Sequence, residues 1–161
     1  MNSGQQILTI FAIAILTVLI INIYKSQGSK EEMLFGNEAI ITGAGIAQSL
    51  INEIQVKAFD EKTVSRGYSI ADSLTHPNLL GSDAGEYVST QFDDIDDYNN
   101  YTKSDSLDRL GLFNLKVNVY YINKLMPDVK SYVQTFTKQI DILLTNFSLP
   151  DTIRFHQVIA Y

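Results

Sequence analysis

Residues 1–24 contain no charged side chain, and 7–21 are almost wholly apolar. A helix over 4–24 is roughly 30 Å long at about 1.5 Å per residue, close to the thickness of a bilayer's hydrocarbon core. Such a segment cannot be left in water, so it needs lipid or further copies of itself. Three fates compete: a cleaved secretory leader, a plain membrane anchor, or a segment that waits in the membrane and later packs with sister segments. A cleaved leader opens on basic residues, whereas Met1-Asn2-Ser3-Gly4-Gln5-Gln6 has none. The abundant Ile, Val and Thr form helix readily in lipid, where backbone groups have no water to bond. Thr9 and Thr17 can bond back onto their own helix. Lys25 and Lys30 lean toward a cytoplasmic C-terminal side, although two lysines close to Glu31 and Glu32 carry little weight.

The rest of the chain is long enough for one domain with a real core. A net charge of −6 with no basic cluster argues against nucleic acid and against an anionic lipid surface as partners. There is no cysteine, hence no disulfide, no thiolate metal site and no Cys nucleophile. The domain is expected to hold by packing alone.

Gln27-Gly28-Ser29 reads as a hinge between a stem (1–26) and a second helical segment (27–60). Gly28 suits a helix C-cap, and Ser29 with Glu32 has the form of a capping box. Beyond it, Ile40, Ala44, Ala47, Ile51, Ile54 and Ala58 recur at helical spacing and line one face. Gly36, Gly43 and Gly45 each cost about 1 kcal/mol of helix propensity against Ala; they soften the helix or let a neighbour approach closely. Gly43-Ala44-Gly45 lacks the third glycine and the preceding strand of a dinucleotide loop.

The third part, 61–161, begins as a polar, irregular stretch to about 112, in which 87–92 has the makings of a short strand. Then Phe113, Leu115, Val117, Val119 and Tyr121 alternate with polar residues, the mark of a half-buried strand. Residues 124–130 read as a turn-rich connection, 132–145 as a second strand, 146–151 as a turn and 153–161 as a third strand. Three strands with short connections predict an antiparallel meander, covered by the apolar stripe of the second helix. The fold class is therefore α+β, a long apolar N-terminal helix followed by a helix-covered antiparallel sheet.

Asp93, Asp94, Asp96 and Asp97 crowd four carboxylates into five residues. Their repulsion is relieved either by solvent, as an acidic surface loop, or by a structural Ca²⁺ held with amide oxygens of Asn99 or Asn100. The spacing is not that of an EF-hand, and a solvated loop is the simpler expectation, with no cofactor. His76 and His156 are isolated in sequence. No Gly-x-Ser-x-Gly, His-Glu-x-x-His or phosphate loop is present, and no base is arranged beside a nucleophile, so no enzyme is expected. Asn100-Tyr101-Thr102 and Asn146-Phe147-Ser148 fit the N-glycosylation pattern.

An apolar N-terminal helix, a second amphipathic stretch and a C-terminal antiparallel sheet resemble the type IV pilin and pseudopilin superfamily. The segment 92–101, Phe-Asp-Asp-Ile-Asp-Asp-Tyr-Asn-Asn-Tyr, is similar to an acidic stretch ahead of the sheet in pilin-like proteins of mannose-sensitive haemagglutinin pilus systems. The resemblance implies a stem held in the inner membrane until pilus assembly machinery extracts it, then packed among copies of itself in a helical filament. Ile7, Leu8, Ile10, Phe11, Ile13, Ile15, Leu16, Val18, Leu19 and Ile20 would form that assembly interface, and Gln27, Gly28 and Ser29 would let head and stem change angle. A minor pilin or secretion-system pseudopilin shares these parts, and a lone membrane-anchored binding domain is the alternative outside the family. Three departures stand out. The family carries Glu at the fifth mature position, where this chain has Gln5 if Met1 is the first mature residue. No basic leader is in the sequence, so it either precedes Met1 or this chain is not processed that way. The Cys pair common near the C-terminus of pilins is missing.

Overall fold

The computed structural model describes residues 2–161; the terminal amine of Met1, which enters the expectation about Gln5, lies outside them. One helix, α1 (Ser3–Gln55), is followed by four short 3-10 turns and five strands: β1 (Thr102–Leu107), β2 (Gly111–Asn123), β3 (Met126–Lys130), β4 (Thr137–Thr145) and β5 (Ile153–Ala160). The chain divides into two compact units, Met1–Glu38 and Ala39–Tyr161. The division falls inside α1, between the 26/27 and 60/61 boundaries expected from the sequence.

The expected break at Gln27-Gly28-Ser29 is not there: α1 is helical through all three residues. One glycine costs only about 1 kcal/mol of propensity, less than two new helix ends would leave unsatisfied in backbone hydrogen bonds. Ser29 does not cap. Its Oγ donates to the Lys25 carbonyl one turn earlier, at 3.1 Å, a bond compatible with a helix that continues. Thr9 Oγ1 and Thr17 Oγ1 bond back in the same way to Gln5 and Ile13, at 2.9 and 2.8 Å.

In the second unit the sheet is antiparallel throughout, in the order β1-β2-β4-β5, with β3 paired to the far end of β2. The β2–β4–β5 meander matches the expectation. Residues 87–92 are not a strand: the Gln91 side chain accepts from the Tyr87 and Val88 amides and folds them into turns. The β4 strand starts at Thr137, later than expected, because Thr135 Oγ1 is tied to the Ile122 carbonyl. Conversely, the 124–130 connection contains a short exposed edge strand, β3, in which Pro127 is tolerated because an edge strand has amides with no partner to serve.

The core lies between the sheet and the C-terminal part of α1. Phe113, Leu115, Val117, Val119 and Tyr121 of β2 join Ile140, Ile142 and Leu144 of β4 and Ala39, Ala47, Leu50, Ile51 and Ile54 of α1 in one buried cluster. The buried stripe is turned slightly from the predicted one: Ile40 is exposed and Ala44 half-buried, while Ala39 and Gly43 face inward. Gly43 explains the rotation. A Cβ there would sit 2.4 Å from Leu144 Cδ2 and 3.3 Å from the Phe113 ring, so only glycine lets the helix approach the sheet this closely. Ala58 lies past the helix end and bridges instead to the acidic loop, its amide donating to the Asp93 carbonyl at 3.0 Å and its carbonyl accepting from Ile95 at 2.9 Å.

Candidate functional site: an apolar stem and a buried carboxylate cluster

All ten residues of the expected assembly interface lie on the first part of α1, with exposures between 44 % for Ile20 and 75 % for Leu8. None of the apolar window that is long enough to cross a membrane is buried. The ten are distributed around the helix, with Ile7, Leu8, Leu16 and Ile13 on different sides of it, which suits surroundings that are apolar in all directions. Lys25 is the first charge after the window.

The acidic stretch is not the solvated loop expected. Asp93 is exposed, but Asp94, Asp96 and Asp97 are buried. The loop hangs from an aromatic cluster, Phe92, Tyr98 and Tyr101, whose rings meet edge to face with centroids 4.9 to 5.6 Å apart. Tyr98 OH donates to Glu53 on α1 at 2.9 Å. Asn99 joins the loop to its surroundings: its Nδ2 donates to the Leu80 carbonyl and its Oδ1 accepts from the Val119 amide. Two carboxylates fold the loop on itself. Asp94 Oδ1 accepts from the Asp96 and Asp97 amides, and Asp97 Oδ2 from the Asp93 and Asp94 amides. The four Asp residues named from the sequence are therefore not one site. Asp93 and Asp97 converge with Glu86, one carboxylate oxygen of each lying within 4.8 Å of the others. Asp94 and Asp96 turn inward.

What Asp96 turns toward is Lys138. Its ammonium is fully buried, touches Asp96 Oδ1, and donates to Asp60 Oδ2 at 3.0 Å and to the Phe59 carbonyl at 2.7 Å. The Phe59 and Tyr121 rings flank it, with centroids 4.5 and 4.9 Å from Nζ. Asp60 is saturated. It takes the Thr75 amide and hydroxyl at 2.9 to 3.1 Å, the Lys62 amide at 3.2 Å, and Tyr121 OH at 2.7 Å. Burial works to raise its pKa, but Lys138 and the Tyr121 and Thr75 hydrogen bonds outweigh burial and hold it below the ordinary value. Asp96 goes the other way. Burial lifts it to about 7 despite Lys138, with the Asp60 charge adding to the rise. Asp94 is lifted to about 9 by burial first, then by Asp96 and Asp97. Asp94 Oδ2 and Asp96 Oδ2 are buried with no hydrogen-bond partner.

Lys138, Asp60 and Tyr121 did not stand out as site residues in the sequence, yet β4 carries a signal. Ile140, Ile142 and Leu144 face the core, and counting back by two puts Lys138 on the same face. A lysine in a core register announces a buried partner. The remaining candidates are peripheral. His76 Nδ1 accepts from the Asn78 amide, and His156 is exposed on β5. Asn146 Nδ2 donates to the Leu110 and Leu112 carbonyls, so a glycan there would have to displace both bonds. Asn100 is exposed, with a positive φ of 68°.

Comparison with protein-family models, with curated proteins and with solved structures returns no significant match.

Proposed function

We propose that the chain is a structural subunit of an extracellular type IV pilus-like filament, polymerising through its N-terminal helix. The observation that carries this reading is the exposure of ten large apolar stem residues on all sides of a helix with no charge before Lys25. Burying each is worth roughly 1.5–3 kcal/mol, so the isolated helix is under strong pressure to find apolar surroundings. The membrane supplies them first and sister stems supply them in the filament. A repeated head-to-tail contact of this kind gives an open helical polymer rather than a closed ring. The α+β fold agrees with a pilin-like architecture: a helix whose later part packs on an antiparallel sheet.

The separating experiment is to shear cells that express the chain and image the supernatant. Abundant filaments made of this chain support the reading. Trace amounts at fibre ends would identify a minor pilin or pseudopilin instead, and a monomer confined to the membrane fraction would identify an anchored binding domain.

A further inference from the structure

We propose that Lys138 and Asp96 are a self-modification site, in which Lys138 Nζ condenses with the Asp96 side-chain carboxyl to form an intramolecular amide and release water. The geometry provides a nucleophile, an electrophile and a base in one dry pocket. Lys138 Nζ touches Asp96 Oδ1 and lies 3.0 Å from Asp60 Oδ2. The rings of Phe59 and Tyr121 close over it, and the side chains of Lys138 and Asp60 are fully buried.

The two carboxylates differ in a way that assigns their roles. Asp60 has both oxygens engaged by Thr75, Lys62, Tyr121 and Lys138, which favours the anion, a base and a poor acyl donor. Asp96 has one oxygen on the amine and the other buried without a partner. Lys138 is shared with Asp60, and burial outweighs its pull on Asp96, so the neutral carboxyl is accessible near neutral pH, and a neutral carboxyl is the electrophilic form. Asp94 positions the group, its Oδ1 accepting from the Asp96 amide.

The step balances within the cluster. Asp60 takes one proton from the Lys138 ammonium. The free amine adds to Cγ of the protonated Asp96 carboxyl, forming the N–C bond. The C–O bond then breaks, and the hydroxyl leaves with a second amine proton as water. An ammonium, a carboxyl and a carboxylate become a neutral amide, a water molecule and a carboxyl; charge is conserved and nothing is oxidised or reduced. Fixed contact replaces a bimolecular encounter, which is the source of large effective molarities in such reactions, and exclusion of water disfavours hydrolysis of the product. A chain without cysteine would gain in this way a covalent staple across residues 42 apart, restricting the unfolded state as a disulfide does.

The test is mass spectrometry of the purified full chain, denatured and digested with protease. The expected product is a branched peptide joining the segments that contain residues 96 and 138, lighter than their sum by one water. That signature does not depend on N-terminal processing. Lys138→Arg and Asp96→Ala should each give unbranched peptides of full mass, read in denaturant whether or not the variants fold. Recovery of residues 96 and 138 of the native chain only in separate linear peptides, or a branch that maps to Asp60, would overturn the assignment.

Discussion

Lys138 stands directly opposite Tyr121 in the β2–β4 register, and both side chains are fully buried against Asp60. The sheet thus delivers a cation and a phenol to the one carboxylate that caps the turn after α1, where Asp60 also forms a capping box with Thr63. Removing Asp60 leaves Lys138 with only Asp96 and the Phe59 carbonyl, leaves Tyr121 with only the Thr75 carbonyl, and orphans the Thr75 and Lys62 amides. Breaking a buried pair costs about 3–5 kcal/mol because the remaining charge is left without compensation. Asp60→Ala should lower stability by that amount in urea unfolding of the detergent-solubilised chain; a loss below about 1 kcal/mol, the scale of an exposed pair, would show that the cluster is solvated.

Asp94 makes stability depend on pH in an unusual direction. Its folded pKa of about 9 lies above the ordinary aspartate value of 3.8, so between those values the folded state holds the proton more tightly than the unfolded one. Stability from this group is complete below about pH 4 and is lost as pH rises through about 9. Asp60, shifted downward, acts oppositely, and its contribution disappears only in acid. Thermal unfolding between these limits should therefore show a midpoint that falls as pH rises. Asp94→Asn, neutral at every pH, should flatten the slope and exceed the native chain in stability at the alkaline end. A midpoint that climbs with pH would contradict the burial of Asp94.

Two glycines in one helix should respond oppositely to alanine. Nothing lies within 4 Å of a Cβ at Gly28, so Gly28→Ala should raise helix stability by about 0.5–1 kcal/mol and leave circular dichroism otherwise unchanged. Gly43→Ala drives a methyl into Leu144 and Phe113 and should cost about 1–3 kcal/mol through overpacking. If Gly28→Ala instead abolished assembly without changing the isolated chain, bending at that glycine would be part of polymerisation.

Ile13 and Leu16, 59 % and 57 % exposed on the stem, give the assembly test at single residues. An aspartate near the centre of a membrane helix costs about 2.5–3.5 kcal/mol, and one inside a packed bundle has no partner. Ile13→Asp and Leu16→Asp should abolish filaments while near-ultraviolet circular dichroism of the tyrosine-rich head stays native. Normal fibres from either variant would remove the stem from the polymer core.

The meander was legible because β2 alternates strictly from Phe113 to Tyr121, a pattern that burial on one face imposes. β1 was not: Thr102 to Leu107 is a polar edge strand with neither face fully buried, so hydrophobic periodicity had nothing to act on. Gly28 and Ser29 signal a break that does not form, because cap-forming residues end a helix only when the following turn fails, and here the backbone ladder continues. The acidic stretch misled most. Four aspartates in five residues suggest solvent, and the cation that pairs with the buried Asp96 comes from a strand far along the chain. Only the inward register of Lys138 hinted at it.

That distance has a consequence for the order in which the molecule is made. α1 closes its hydrogen bonds between neighbours four residues apart, whereas Asp60 must wait for a lysine 78 residues downstream. During synthesis the greasy helix therefore exists well before the carboxylates lose their water. Whatever receives the nascent chain meets a finished hydrophobic rod attached to an acidic, still-hydrated tail, and the head is secured only after β4 has emerged.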